Sequence, residues 1–242
     1  MKVKSNKTNY RYVWLFQRKE TQKMILVSAK HEKRWALLKV WIVLFGLIIL
    51  SQKDLSADEC RGKHILSEKT CVGDKLDTEE NKLYQMINQY RVQNGNPSIP
   101  TSPSLNLVAN RHVRDVAENS HLYSRKGQNW IHGWSNCNYD ANHINTFSCM
   151  WEAPKRLGTP YPGIGFENFL GSPDPQYRDF IMTAQYAFHT WQNSRLHNEV
   201  ILNQGKWQKY KWNGLGIGIY KGYAAVWFGA EHDPLSAREK VK

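Results

Sequence analysis

Acidic residues are scarce in this 242-residue chain: 21 Asp and Glu stand against 33 Lys and Arg, a formal net charge of +12. Such an excess suggests nucleic acid or an anionic surface, but its distribution removes most of that suggestion. Residues 1–57 hold 12 of the basic residues and 3 of the acids, a net of +9, which leaves 21 minus 18, or +3, for residues 58–242. No dense basic stripe interleaved with aromatics runs through that body, so a nucleic-acid groove is excluded as the main reading. Also missing are a G-x-S-x-G nucleophile elbow, an H-E-x-x-H helix and any C-x-x-C pair. Those absences remove the common serine-hydrolase, zincin and zinc-ribbon signatures. There is no internal repeat and no low-complexity tract.

Long apolar runs are missing too. The longest, "VWIVLFGLIIL" at 40–50, has 11 residues. That is short for a bilayer span and suited to the hydrophobic region of a secretory signal. The basic stretch "KHEKRWALLK" precedes it. "SQKDLSA" follows, with Leu55 and Ala57 where a signal peptidase inspects the chain. Residues 1–57 are therefore expected to be a leader, with translation starting at Met1 or Met24. An uncleaved anchor over residues 35–50 is the alternative, and then the leader alone would touch a membrane. In either case the body is exported, secreted or periplasmic.

Only four cysteines occur, and all follow the expected cleavage point: Cys60, Cys71, Cys137 and Cys149. An even count in an exported chain predicts two disulfides. Of the three possible pairings, Cys60–Cys71 with Cys137–Cys149 closes the shortest loops.

The body divides by its patterning. Residues 58–77 form a polar extension, residues 78–232 a domain and residues 233–242 a polar tail. From Thr78 as cap, Leu83, Met86, Ile87 and Tyr90 mark one helical face, closed by Asn94-Gly95. A second helix follows Ser102 and Pro103, with Leu105, Val108, Ala109, His112, Val113 and Val116 on one face. His112 reads there as a packed core residue. Residues 120–178 have little periodicity and read as ordered, aromatic-rich loops. A third helix spans "DFIMTAQYAFHTWQNS", and "GLGIGIY" and "YAAVWFGA" flank a two-residue turn at Lys221-Gly222. Helices, then loops, then a helix and terminal strands predict an α+β layered domain.

Within the loops, "NWIHGWSNCNY" sets His132 between Trp130 and Trp134, either as a ligand group in a cleft walled by those rings or as a packed polar residue. Several stretches then share one resemblance: "LYQMINQYRVQNGNPSIPTSPSLNLVANRHVRD", "HGWS", "GIGFEN", "WQNSRLHNEVILN" and "GLGIGIYKGYAAVWFG". In that order, over residues 78–230, they resemble the CAP superfamily in a bacterial form (the SCP domain, or cysteine-rich secretory, antigen 5 and pathogenesis-related-1 domain).

The resemblance implies a three-layer α-β-α sandwich with a central antiparallel sheet. It also implies a cleft in which two histidines and two glutamates can hold a divalent cation. Position by position, it assigns His132, Glu167 and His197 as candidate metal ligands, zinc favoured by the imidazoles. The second glutamate of the pattern is replaced by Ser194, which leaves a cleft of His132, Glu167, Ser194 and His197. The implied function is a non-catalytic extracellular binding domain for a lipid, a cell-surface polymer or a protein. The alternative is a metal-assisted hydrolase with Glu167 as base.

Overall fold

Asp77, one residue before the expected cap, opens the first helix in a computed structural model that describes residue 60 and residues 62–123 and 130–239. Its carboxylate accepts from the Glu80 amide, and Glu80 reaches back to the Asp77 amide at 2.9 Å, a reciprocal box. This helix, α1, spans Thr78–Gln93. The second, α2, spans Pro103–Glu118, with Ser102 capping the Leu105 amide and proline in the first turn as expected. Two single-turn helices follow, α3 at Ser148–Trp151 and α4 at Ala153–Arg156.

The aperiodic region also contains a strand. β1, Gly165–Leu170, carries Glu167 and Asn168 at its centre, and these polar residues break the alternation by which strands are recognised. α5 is shorter than its sequence pattern: it begins at Ala184, capped by Thr183, and ends at Asn193. Phe180 lies ahead of it in a loop. Arg195–Ile201 forms α6, and the terminal hairpin is β2, Gly214–Tyr220, with β3, Tyr223–Gly229. Lys221 takes a positive φ of 51° in the turn between them. A short helix α7, Pro234–Glu239, closes the described chain.

The sheet is antiparallel throughout, in the order β1-β3-β2, with Glu167 opposite Trp227 and Ile217 opposite Val226. Alternate residues point to opposite faces, and each face has its own core. Leu83 and Ile87 of α1, with Ala187 and Trp191 of α5 and Ile201 of α6, cover Phe166, Ile217, Val226 and Phe228. α2 covers Ala225 and Trp227 on the other face, joined by Trp134, Tyr139 and Met150. The architecture is α+β, with helical layers on both sides of an antiparallel sheet.

α2 lies unusually close to β2. A Cβ built at Gly216 would fall 2.1 Å from the Leu105 carbonyl carbon, and one at Gly218 would fall 2.5 Å from that of Ala109. The "GLGIGIY" pattern thus serves backbone-to-backbone packing on one face while Leu215 and Ile217 fill the core on the other.

The flanking segments are tied into the domain. In the 58–77 extension, Asp74 holds the buried guanidinium of Arg111 through two hydrogen bonds of 2.7 and 2.9 Å. The expected polar tail begins with Asp233, which is buried and accepts from Ser102 Oγ, Ser104 N and Ser104 Oγ. Cys60 is bonded to Cys71 and Cys137 to Cys149, each pair with Cα atoms 5.7 Å apart. The leader expected at 1–57, with its cleavage point and its anchor alternative, lies outside the described residues. Among the described residues no helix is long and apolar enough to cross a membrane.

Candidate functional site

His132 enters the site on a loop closed by local bonds. The amides of Trp134 and Cys137 donate to each other's carbonyls at 2.8 and 3.0 Å, and the Cys137–Cys149 disulfide fastens this turn to α3. The His132 ring lies edge-on to Tyr139 with centroids 5.5 Å apart, and its side chain is 25% exposed. Trp130 is half exposed beside it. Trp134 does not wall the cleft. It is buried and stacks on His112, centroids 4.3 Å apart, so it fills the core.

Glu167 is buried between two imidazoles. Its Oε1 lies 2.5 Å from Nδ1 of His112, and its Oε2 lies 2.8 Å from Nδ1 of His132. His112 is fully buried, and its other nitrogen, Nε2, lies 2.7 Å from the carbonyl oxygen of Gly133. With Glu167 ionised, both nitrogens of His112 face acceptors and both carry hydrogen. His112 is an imidazolium paired with a carboxylate inside the protein.

The electrostatics agree with that geometry. Burial opposes charge on His112, but the charge and hydrogen bond of Glu167, the Gly133 carbonyl and Asp115 outweigh it and raise its pKa. Burial likewise pushes the Glu167 carboxyl up. The charges and hydrogen bonds of His112 and His132 prevail and hold it below its ordinary range. An ionised Glu167 only accepts, so His132 donates from Nδ1, and in the neutral ring the lone pair sits on Nε2.

His197 comes from the other side of the sheet, on α6. Its Nδ1 is 2.7 Å from Ser194 Oγ, one turn earlier. Burial, and secondarily the charge of His132, lower its pKa. β1 holds both histidines through consecutive residues. Glu167 points to the α2 face and binds His132, while Asn168 Nδ2 donates 3.0 Å to the backbone carbonyl of His197. Because β1 ends the sheet order, both of these bonds are made at the sheet's edge strand.

Among the described residues, no group of three or more His, Cys, Asp or Glu side chains stands in an arrangement that could hold a metal ion. Both oxygens of Glu167 already accept from imidazole nitrogens. The donors that remain for a cation are the outer nitrogens of His132 and His197, each with its inner nitrogen engaged. Glu167 engages the inner nitrogen of one ring and Ser194 that of the other. His112 joins the site without any ligand pattern in the sequence. It was expected in the core and lies there, but its partner was not foreseen. The available signal was a pair of ionisable residues, one on an apolar helix face and one in a buried strand, each requiring a partner.

No family model matches the sequence, and no curated protein matches it. The structure is similar to solved structures of SCP-domain proteins. One is an extracellular protein containing an SCP domain from Bacillus anthracis, with 16% identity and a TM-score of 0.45, covering 63% of this chain and 40% of that one. Another is a cysteine-rich secretory protein from Staphylococcus aureus, with 14% identity and a TM-score of 0.40, covering 63% of this chain and 39% of the other. This chain thus matches about two fifths of the length of each.

Proposed function

We propose that this protein is an exported binding domain of the CAP/SCP type, in which His132 and His197 present their outer nitrogens to a cleft and take up a divalent cation, zinc by preference. The observation that carries the reading is the matched preparation of the two rings. His132 is fixed through Nδ1 by Glu167 at 2.8 Å, and His197 is poised through Nδ1 by Ser194 at 2.7 Å. Fixing one nitrogen of a histidine selects the tautomer that offers the other as a ligand.

The same geometry counts against Glu167 as a catalytic base. Its charge is paired with His112, and both of its oxygens accept from ring nitrogens. Two imidazoles without a free carboxylate offset little of a dication's desolvation, so the expected affinity is weak. Export is supported by the basic leader with its apolar run and by the two disulfides. The ligand of the cleft would be extracellular: a lipid, a cell-surface polymer or a protein.

The test is metal analysis and N-terminal sequencing of the protein recovered from the medium or periplasm without exposure to affinity nickel. The reading expects Asp58 as the first residue and sub-stoichiometric zinc. A membrane-held product retaining Trp41 would replace secretion with anchoring. Complete absence of zinc after incubation with the ion would remove the metal reading.

A further inference from the structure

Two hollows meet at Tyr186, outside the histidine cleft. The larger, about 1000 Å³, has Phe169 and Leu170 of β1 on one wall and the loop 171–177 on another. The smaller, about 430 Å³, runs along the outer face of α5 between Thr183 and Asn193. Tyr186 lines both. Neither His132 nor His197 lines either hollow, although Ile131, next to His132, borders the larger.

Two tyrosine rings are open to solvent, and one of them is held by a neighbouring ring. Tyr177 and Tyr186 are 49% and 51% exposed, so each shows a broad face to solvent. Phe180 meets Tyr186 edge-on with centroids 5.0 Å apart, which sets the plane of that ring. The loop carrying Tyr177 is fastened ahead of that residue. Tyr223 Oη donates to the Ser172 carbonyl at 3.1 Å, and Asp174 accepts from the Gln176 amide at 3.0 Å. A tyrosine held as Tyr186 is offers large contact area at low entropic cost.

The lining also selects the ligand. Among the described residues, no Lys or Arg lines either hollow, and Asp174 is the single carboxylate. This described lining offers an anionic polymer no cation. Past Tyr186 the surface turns to hydroxyls, amides and an imidazole: Thr183, Gln185, Thr190, Asn193 and His189. An acyl chain leaving the aromatic basin would have no apolar path to follow. A sugar chain matches both halves, with an apolar ring face for the tyrosines and hydroxyls for the amides. Thr183 to Asn193 spans about 15 Å of helix, room for several sugar rings in a row.

We propose that this groove binds a neutral oligosaccharide, stacked on Tyr177 and Tyr186 and continued along the polar face of α5. The site is independent of the cation reading of His132 and His197.

The experiment titrates the full chain with cellotetraose and chitotetraose as neutral probes and with myristate as the lipid probe. It is run on wild type, Tyr177→Ala, Tyr186→Ala, Tyr186→Phe and His132→Ala. Both tyrosines are half exposed, so their truncation spares the core. At least one tetrasaccharide is expected to bind, weakened about tenfold or more by either alanine variant. Tyr186→Phe, which keeps the ring, and His132→Ala are both expected to stay within about twofold of wild type. The proposal is overturned if neither sugar binds up to about 10 mM. It is equally overturned if sugar binding ignores Tyr186→Ala, or if myristate binds in a Tyr186-dependent way and the sugars do not.

Discussion

His112 and Glu167 form a buried ion pair, Nδ1 to Oε1 at 2.5 Å, across the interface between α2 and the edge strand β1. The pair binds the His132 loop twice from within. Glu167 holds the His132 ring, and His112 holds the carbonyl of Gly133 beside it. A buried charge left alone is costly, whereas a pair removed together can be nearly neutral. His112→Leu is therefore expected to destabilise the protein by about 3–5 kcal/mol, and adding Glu167→Gln should restore much of that loss. Urea unfolding of the two single variants and the double variant measures the coupling. Additive losses would mean that the two residues do not act as a pair.

A second buried carboxylate makes stability depend on pH. Glu80 accepts from the Ile219 amide at 2.8 Å, and burial, the largest influence, pushes its pKa up to about 7 from an ordinary 4.5. Its folded value exceeds its unfolded one, so the native state binds the extra proton. Stability from this group is full below the unfolded value and is lost as pH rises toward the folded one. The loss is at most about 1.4 kcal/mol per pH unit between those values. Denaturant melts of wild type and Glu80→Gln across that window should differ in slope, with wild type declining more steeply as pH rises. Parallel profiles would contradict the assignment. The His112–Glu167 pair titrates in both proteins and cancels in the difference.

The close approach of α2 to β2 yields a steric prediction. Gly216→Ala places a methyl group 2.1 Å from backbone rather than against a movable side chain. Overpacking of this kind costs about 1–3 kcal/mol or more. Thermal melts of Gly216→Ala should show a clear loss, and a neutral result would mean that α2 sits farther from the sheet.

Removing the Cys137–Cys149 bond by double serine substitution should cost about 2–4 kcal/mol. It should also loosen the loop that carries His132. Non-reducing peptide mapping of wild type checks the pairing first. A Cys71–Cys137 peptide would overturn it.

Much of this was legible in the residues. The apolar stripe of α2, its Ser102–Pro103 start and the hairpin about Lys221-Gly222 are local patterns, and the structure follows them. β1 was not legible, because Glu167 and Asn168 occupy its centre and satisfy partners distant in sequence. The first turn of the expected third helix, residues 179–183, failed for a related reason: Phe180 serves the loop beside Tyr186, and Thr183 provides a better cap. His132, Glu167, Ser194 and His197 were each singled out by resemblance. Their relations were not, because hydrogen-bond partners across layers leave no spacing in a sequence.

Calorimetric titration with zinc at about pH 7.5 tests the central claim most directly, since the imidazoles must be neutral to donate. Wild type should bind weakly with one ion per chain, and His132→Ala and His197→Ala should each abolish binding. Glu167→Gln should weaken it by about tenfold or more through the lost orientation of His132. Equal affinity in His132→Ala and wild type, or no uptake by wild type, would contradict the two-histidine cleft.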